Sequence, residues 1–283
     1  MKSDERRGIM SIVVSAEELY RKMNNHNVKI VDVRTKDKGF ETGKAAYEHS
    51  HLPGAFYLDF KKDLSGENSF LPEVHELARK LGNMGIKHDS EIVLYDQGNY
   101  RSASKAWLLF HYLGHEPIFI LDGGYRKWVE AGYEVTSEQP KSESTTYTVQ
   151  IREKAIVDME MVKNRIEQKK DYTLIDSRAY ERYTGKVEPT YKKAGHIPGA
   201  KNYHSKLVLN ENGNWKSPEE LKKHFNQLNP NEEIIVSCGS GNSACINLVA
   251  LKNAGFKDVK IYPGGFSEWI EDDENEVERG NNS

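Results

Sequence analysis

Cys238 opens the run Cys238-Gly239-Ser240-Gly241-Asn242-Ser243, directly after Ile234-Ile235-Val236-Ser237 and directly before Ala244-Cys245-Ile246-Asn247-Leu248-Val249-Ala250-Leu251. A cysteine kept for packing sits among apolar neighbours, and this one does not. Glycines and small hydroxyl residues let the chain curl so that successive backbone N–H groups point inward, and the start of the following helix adds partial positive charge. Both effects favour an anion on the sulfur. The pattern therefore predicts a thiol of lowered pKa acting as a nucleophile, and a cradle that would equally hold a persulfide anion. Gly239, Gly241, Asn242 and Ser243 are the loop positions whose backbone would bind substrate. Cys245 falls about two turns into the helix among Ile246, Leu248 and Val249, where an inert core thiol is expected.

The elements that must position this loop are written twice. Val28-Lys29-Ile30-Val31-Asp32-Val33-Arg34 returns as Tyr172-Thr173-Leu174-Ile175-Asp176-Ser177-Arg178, an apolar run ending in an acid, one residue, then arginine. His51-Leu52-Pro53-Gly54-Ala55 returns as His196-Ile197-Pro198-Gly199-Ala200, and Gly123-Gly124-Tyr125 with Trp128 returns as Gly264-Gly265-Phe266 with Trp269. The opening helices match too, with N-cap types at Ser15 and Asp158, and Glu18 at capping-box spacing from Ser15. Landmarks repeating in one order at offsets of 141 to 145 residues mean two domains of one fold. Short β-rich apolar runs, such as Thr173–Ile175, Ile234–Val236 and Val259–Ile261, alternate with helical patterns, including one opened by Ser217-Pro218-Glu219-Glu220. The fold class is therefore α/β, each domain a mainly parallel sheet flanked by helices on both faces. The expected organisation is a first domain over 10–135, a linker over 136–150, a second domain over 151–272 and an acidic tail over 273–283, too poor in apolar residues to pack. In the first domain Asp96 stands where Cys238 stands in the second, so only the second is expected to be catalytic.

At 283 residues, with 37% hydrophobic and 29% charged side chains, the chain has the length and apolar content for two cores. Its net charge of −3, with both signs interspersed, excludes a nucleic-acid footprint. No apolar run reaches the ~18 residues of a membrane span, and the start Met1–Ser11 lacks the apolar stretch of a secretory signal. Two cysteines in so long a chain fit a reducing compartment, and the cytoplasm is expected. No histidine, cysteine or acid grouping has metal-site spacing, and neither a metal nor a cofactor is expected. A cysteine phosphatase would need an arginine where the chain has Ala244. A serine hydrolase fails because the residue two before Ser240 is Cys238, not glycine. A phosphate-binding loop would need a Gly-Lys-Ser/Thr ending.

The duplicated strand end, His-Ile/Leu-Pro-Gly-Ala turn and Gly-Gly-aromatic-x-x-Trp landmarks, with a cysteine loop in the second copy alone, resemble the tandem-domain rhodanese family of sulfurtransferases over about residues 10–272. The loop is similar to the 3-mercaptopyruvate branch, which reads Cys-Gly-Ser-Gly-Val-Thr-Ala; thiosulfate-type loops carry basic residues where this chain has Gly239 and Ser240. The resemblance implies ping-pong transfer of a sulfane sulfur from thiosulfate or 3-mercaptopyruvate, through a Cys238 persulfide, to cyanide or a thiol. It implies a small-molecule sulfur donor and acceptor; charge and hydropathy add the expectation of no nucleic-acid or membrane partner, and a monomer is the oligomeric state weighed. Arg182 matches the arginine that holds the donor's anionic end. Ser240 and Asp59 match two members of a serine–histidine–aspartate set, while the histidine position reads Ser69-Phe70 and His75 reads as an ordinary helix residue. A second family arginine is absent after Glu188-Pro189, with Lys192 and Lys193 the nearby cations. Asp176, Arg178 and His196 read as fold-anchoring residues. The rival from another class is a non-enzymatic sulfur carrier or regulatory binding module of the same fold.

Overall fold

Two parallel sheets carry the chain in a computed structural model that describes residues 11–280 apart from 37–38, 68 and 169–170. The expectation for the N-terminal start falls largely on residues 1–10, and that for the tail partly on 281–283; both stretches lie outside the described residues. In the first half, β1 (Val13–Val14), α1 (Ala16–Lys22), β2 (Val28–Asp32), α2 (Gly43–His49), β3 (Phe56–Tyr57), α3 (Val74–Asn83), β4 (Glu91–Tyr95), α4 (Arg101–Tyr112), β5 (Ile118–Leu121) and α5 (Gly124–Glu130) follow in order. The second half runs α6 (Met159–Gln168), β6 (Tyr172–Asp176), α7 (Tyr180–Tyr183), β7 (Lys201–Asn202), α8 (Pro218–His224), β8 (Glu233–Ser237), α9 (Ala244–Asn253), β9 (Val259–Ile261) and α10 (Gly265–Trp269). Sheet orders are β1-β5-β4-β2-β3 and β7-β6-β8-β9, with every pairing parallel. Strands covered on both faces read as continuous apolar runs, and β4 and β8 are buried along nearly their whole length.

The repeated landmarks do the same work twice. The Asp32 carboxylate binds Arg34 in the first half and Asp176 binds Arg178 in the second, each arginine also donating at 2.7 Å to a carbonyl, of Ser50 and of Gly195. His51 and His196 are fully buried, bind the carbonyls of Tyr47 and Tyr183, and stack on those rings at 3.9 and 3.8 Å. Among the described residues no three histidine, cysteine, aspartate or glutamate side chains converge as a metal centre requires.

α4 and α9 form the joint between the halves. One continuous apolar cluster takes Leu109 and Phe110 from α4 together with Leu248, Val249 and Leu251 from α9. Nine of the ten residues of α9 are buried, among them Asn247 and Asn253, so it is enclosed all round rather than amphipathic. Polar ties reinforce the joint: Tyr100 Oη contacts Gly213 O at 3.1 Å, and the Trp215 amide donates to Asp122 at 3.0 Å. The linker lies along the first half, its Thr145 amide on Gly82 O and its Tyr147 buried against His115.

The acidic tail does not fray as expected over its described part. Glu278 bridges His196 in antiparallel fashion, Trp269 Nε1 donates to Glu276 O at 2.8 Å, and Arg279 Nε reaches Ala194 O. Backbone pairing, which composition does not report, holds this apolar-poor segment. No helix among the described residues is long and apolar enough to cross a membrane.

Candidate active site

Cys238 leaves the end of β8, beside Asp176 at the end of the neighbouring strand β6. The chain goes from β6 to β7 on one side and returns to β8 on the other; such a reversal of strand order is where open α/β sheets bind ligands. Gly241 has φ of +80°, which a residue with a side chain rarely adopts, and a Cβ there would lie 2.7 Å from Pro263 O. The loop is pinned from below, where the Phe266 and Ser267 amides donate to Cys238 O and Gly239 O at 2.8 and 2.9 Å. The turn brings the backbone amides of Ala244, Ser240 and Ser243 onto the sulfur.

The direction of the thiol's pKa corrects the expectation. Burial, with Cys238 only 3% exposed, pushes it up, and the Asp176 charge adds to that; the three amides pull it down without overcoming burial. Backbone amides face the sulfur from the loop, while the depth at which it is set favours the uncharged thiol. Iodoacetamide is accordingly expected to label resting Cys238 slowly at pH 7, with the rate still climbing above pH 9; a rate that levels off below pH 7 would contradict this. Cys245 is fully buried, burial pushes its thiol up as well, and the thiol donates to Gly241 O at 3.5 Å.

The first half supplies an internal comparison. Asp96 at the end of β4 accepts hydrogen bonds from the amides of Gly98, Tyr100 and Ala103 and from Ser102 Oγ. A carboxylate occupies the amide loop in one copy where a sulfur occupies it in the other.

Above the loop is a cleft of about 730 Å³ between the halves. Ser240 and Asn242 line it from one side, and Ser69, Phe70 and Lys105 from the other. Phe70 closes over the loop, its ring 2.9 Å from where a Cβ on Gly241 would stand. Lys105, on α4 and 2% exposed, is drawn down to about 8, chiefly by burial, with the Cys245 sulfur opposing and Arg101 adding. On the other flank, Tyr191 Oη lies 2.5 Å from where a Cβ on Gly239 would be. A side chain at position 239 would require the Tyr191 hydroxyl to move aside.

The family model for the rhodanese-like domain matches residues 15–131 and 158–272. The chain belongs to the rhodanese-like family. It is 34% identical to a probable 3-mercaptopyruvate sulfurtransferase of Pseudomonas aeruginosa, over 95% of this chain and 98% of that one. It is 30% identical to the thiosulfate sulfurtransferase of Cricetulus griseus, over 93% and 92% of the two chains. The crystal structure of the 3-mercaptopyruvate sulfotransferase SseA of Escherichia coli superposes with a TM-score of 0.78 at 28% identity, covering 91% of this chain and 99% of that one.

Within this rhodanese-like frame the remaining sequence-derived residues separate. Arg182 on α7 stands over the Tyr191 ring at 5.2 Å, which sets it beside the loop; Glu188 takes its Nη2 at 2.6 Å and its Nε at 3.3 Å. Gly239 and Gly241 are buried, Asn242 and Ser243 half-buried, and Ser240 exposed to the cleft. Asp59 is not brought to Ser240: it accepts the amides of Lys61 and Lys62 and lines other cavities, with Tyr57, in the first half. Its own turn, closed two and three residues on, satisfies the carboxylate locally. His75 is an exposed residue of α3. Lys192 and Lys193 turn to Asp273 at 3.9 and 3.0 Å. Tyr191 and Lys105 went unmarked in the sequence; a tyrosine following Glu188-Pro189, in the stretch searched for an arginine, was the one available signal for the former.

Proposed function

We propose that the protein is a sulfurtransferase that moves sulfane sulfur from thiosulfate or 3-mercaptopyruvate to cyanide or a thiol through a persulfide on Cys238. The observation that carries this reading is one thiol at the end of β8, faced by three backbone amides, in a loop whose Ser240 and Asn242 line a cleft that both halves share. In the first step the Cys238 thiol loses its proton as its sulfur attacks the outer sulfur of the donor, and that proton is the one the leaving group takes up. A new S–S bond forms; the donor's S–S or C–S bond breaks, and its electron pair leaves with sulfite or with the pyruvate enolate, which takes up a proton. In the second step the acceptor attacks the outer sulfur and the Cys238 thiolate leaves, giving thiocyanate when cyanide is used.

The geometry assigns work to each side. Loading carries the negative charge outward by one S–S bond, about 2 Å, away from the Asp176 carboxylate and toward the mouth of the loop, where Ser240 and the amides at Gly239–Ser243 receive it. Arg182, held by Glu188, presents its remaining guanidinium edge to the donor's anionic end. Both flanks of the cleft come from one chain, which supports a monomer as the working form. Free thiols at both cysteines fit a reducing cytoplasmic setting.

Incubation with a sulfur donor in the absence of acceptor is expected to add ~32 Da, the mass of one sulfur, at Cys238. Intact mass spectrometry of the unreduced protein, with peptide mapping and removal by cyanide, reads this out. Donor turnover with an unmodified trapped protein would sink the covalent mechanism, and loading without repeated thiocyanate release would leave a sulfur carrier instead of a catalyst.

A further inference from the structure

We propose that Lys105, a residue of the half that has no nucleophile, reads the anionic end of the sulfur donor across the cleft from Ser240. The inference rests on the sulfurtransferase reading above. Lys105 belongs to α4, at the joint, yet its side chain lines the cleft together with Ser240 and Asn242. Its Nζ donates to Ser65 Oγ at 2.6 Å and lies 4.4 and 4.9 Å from the centres of the Phe70 and Phe60 rings. An ammonium has three donors, and the structure gives this one a single hydrogen bond. Among the described residues no carboxylate comes within ion-pair distance of it.

A buried cation without a counter-charge is costly, and two aromatic faces offset only part of that cost. The carboxylates that share the cleft, Glu67, Glu268 and Glu271, are all exposed, so water and salt weaken their reach. A small anion passing them meets a desolvated ammonium, where the same charge pair is far stronger. Arg182 is already bound to a buried glutamate, whereas Lys105 has its charge unspent. Thiosulfate and 3-mercaptopyruvate are small anions that a cleft lined by Lys105 and by Ser240 and Asn242 of the sulfur-carrying loop can admit.

The test uses the two half-reactions of the ping-pong scheme. Lys105→Met is expected to lower kcat/KM for thiosulfate and for 3-mercaptopyruvate by at least about tenfold. The kcat/KM for cyanide, which attacks the already loaded enzyme, should stay within twofold. Lys105→Arg should restore donor use. A purely structural lysine would depress both half-reactions together, or neither, and either result overturns the assignment. Should Lys105→Met fail to fold, Lys105→Gln gives the same comparison. Calorimetric titration of Cys238→Ser with thiosulfate or pyruvate, with and without Lys105→Gln, separates this inference from the reading it rests on. Weaker anion binding on loss of the lysine supports Lys105 even where turnover is absent, and equal binding refutes it. A wild-type chain that neither loads sulfur nor makes thiocyanate refutes the sulfurtransferase reading.

Discussion

Replacing Cys238 by serine is expected to abolish thiocyanate formation, a loss greater than about 10³-fold, while Cys245→Ser keeps activity within a few-fold of wild type. A covalent route stops when its nucleophile is removed. A serine hydroxyl is not ionised at working pH and has no sulfur on which to carry the transferred atom. Cys245 differs in every relevant respect: it is fully buried on α9, its thiol donates to Gly241 O, and a hydroxyl can make that same bond. Its substitution therefore costs packing, about 1–3 kcal/mol of stability, and leaves the chemistry. Steady-state rates with either donor and cyanide decide the matter. Equal loss in the two variants would replace the single nucleophile with a two-cysteine relay.

Arg178→Met is expected to destabilise the fold by about 3–5 kcal/mol, the usual consequence of stranding buried charge. Arg178 is 3% exposed at its side chain, and its partners Asp176 and Glu188 are 5% and 2% exposed. It grips Asp176 at 2.6 Å, donates to Gly195 O at 2.7 Å, and reaches Glu188 at 3.3 Å while lying over the Phe266 ring. Methionine fills the volume and leaves two carboxylates inside, only one of which keeps an arginine, the partly exposed Arg182. Asp176→Asn added to Arg178→Met removes one stranded charge and should recover part of the loss. Urea midpoints of the three proteins measure this, and a deficit under about 1 kcal/mol in the single variant would show that the pair is solvated in solution.

The fold was legible because its landmarks are local. An acid two residues before an arginine at the end of an apolar strand, or a His-x-Pro-Gly-Ala turn, is written within a few residues, and its recurrence 141 to 145 residues on fixes the duplication. The Cys238 loop was legible for the same reason. What escaped depends on residues far apart in the chain. Lys105 reaches Ser65 and Phe70 only in the folded first half, and shares a cleft with Ser240 only once α4 and α9 have packed. Asp59 looked like a partner for Ser240 by its position in a motif, but its local turn keeps it elsewhere. The thiol's direction was misjudged because amide geometry is visible in a loop's composition, whereas the depth at which the loop is buried is a property of the assembled halves. The tail was misjudged in the opposite sense, since backbone pairing to His196 needs no apolar side chains.

The apolar joint between α4 and α9 ties the inheritance of the two copies together. A helix buried on every side exposes its core when its neighbour is removed, so neither copy keeps its full stability alone and the pair unfolds as one cooperative unit. The first copy carries a carboxylate where the second carries the sulfur, yet its core is continuous with the second's. Its retention is a matter of thermodynamic dependence, and that dependence leaves its cleft-facing wall free to diverge: substitutions there can retune which donor is admitted while the nucleophile and its amide cradle, fixed in the other copy, stay as they are.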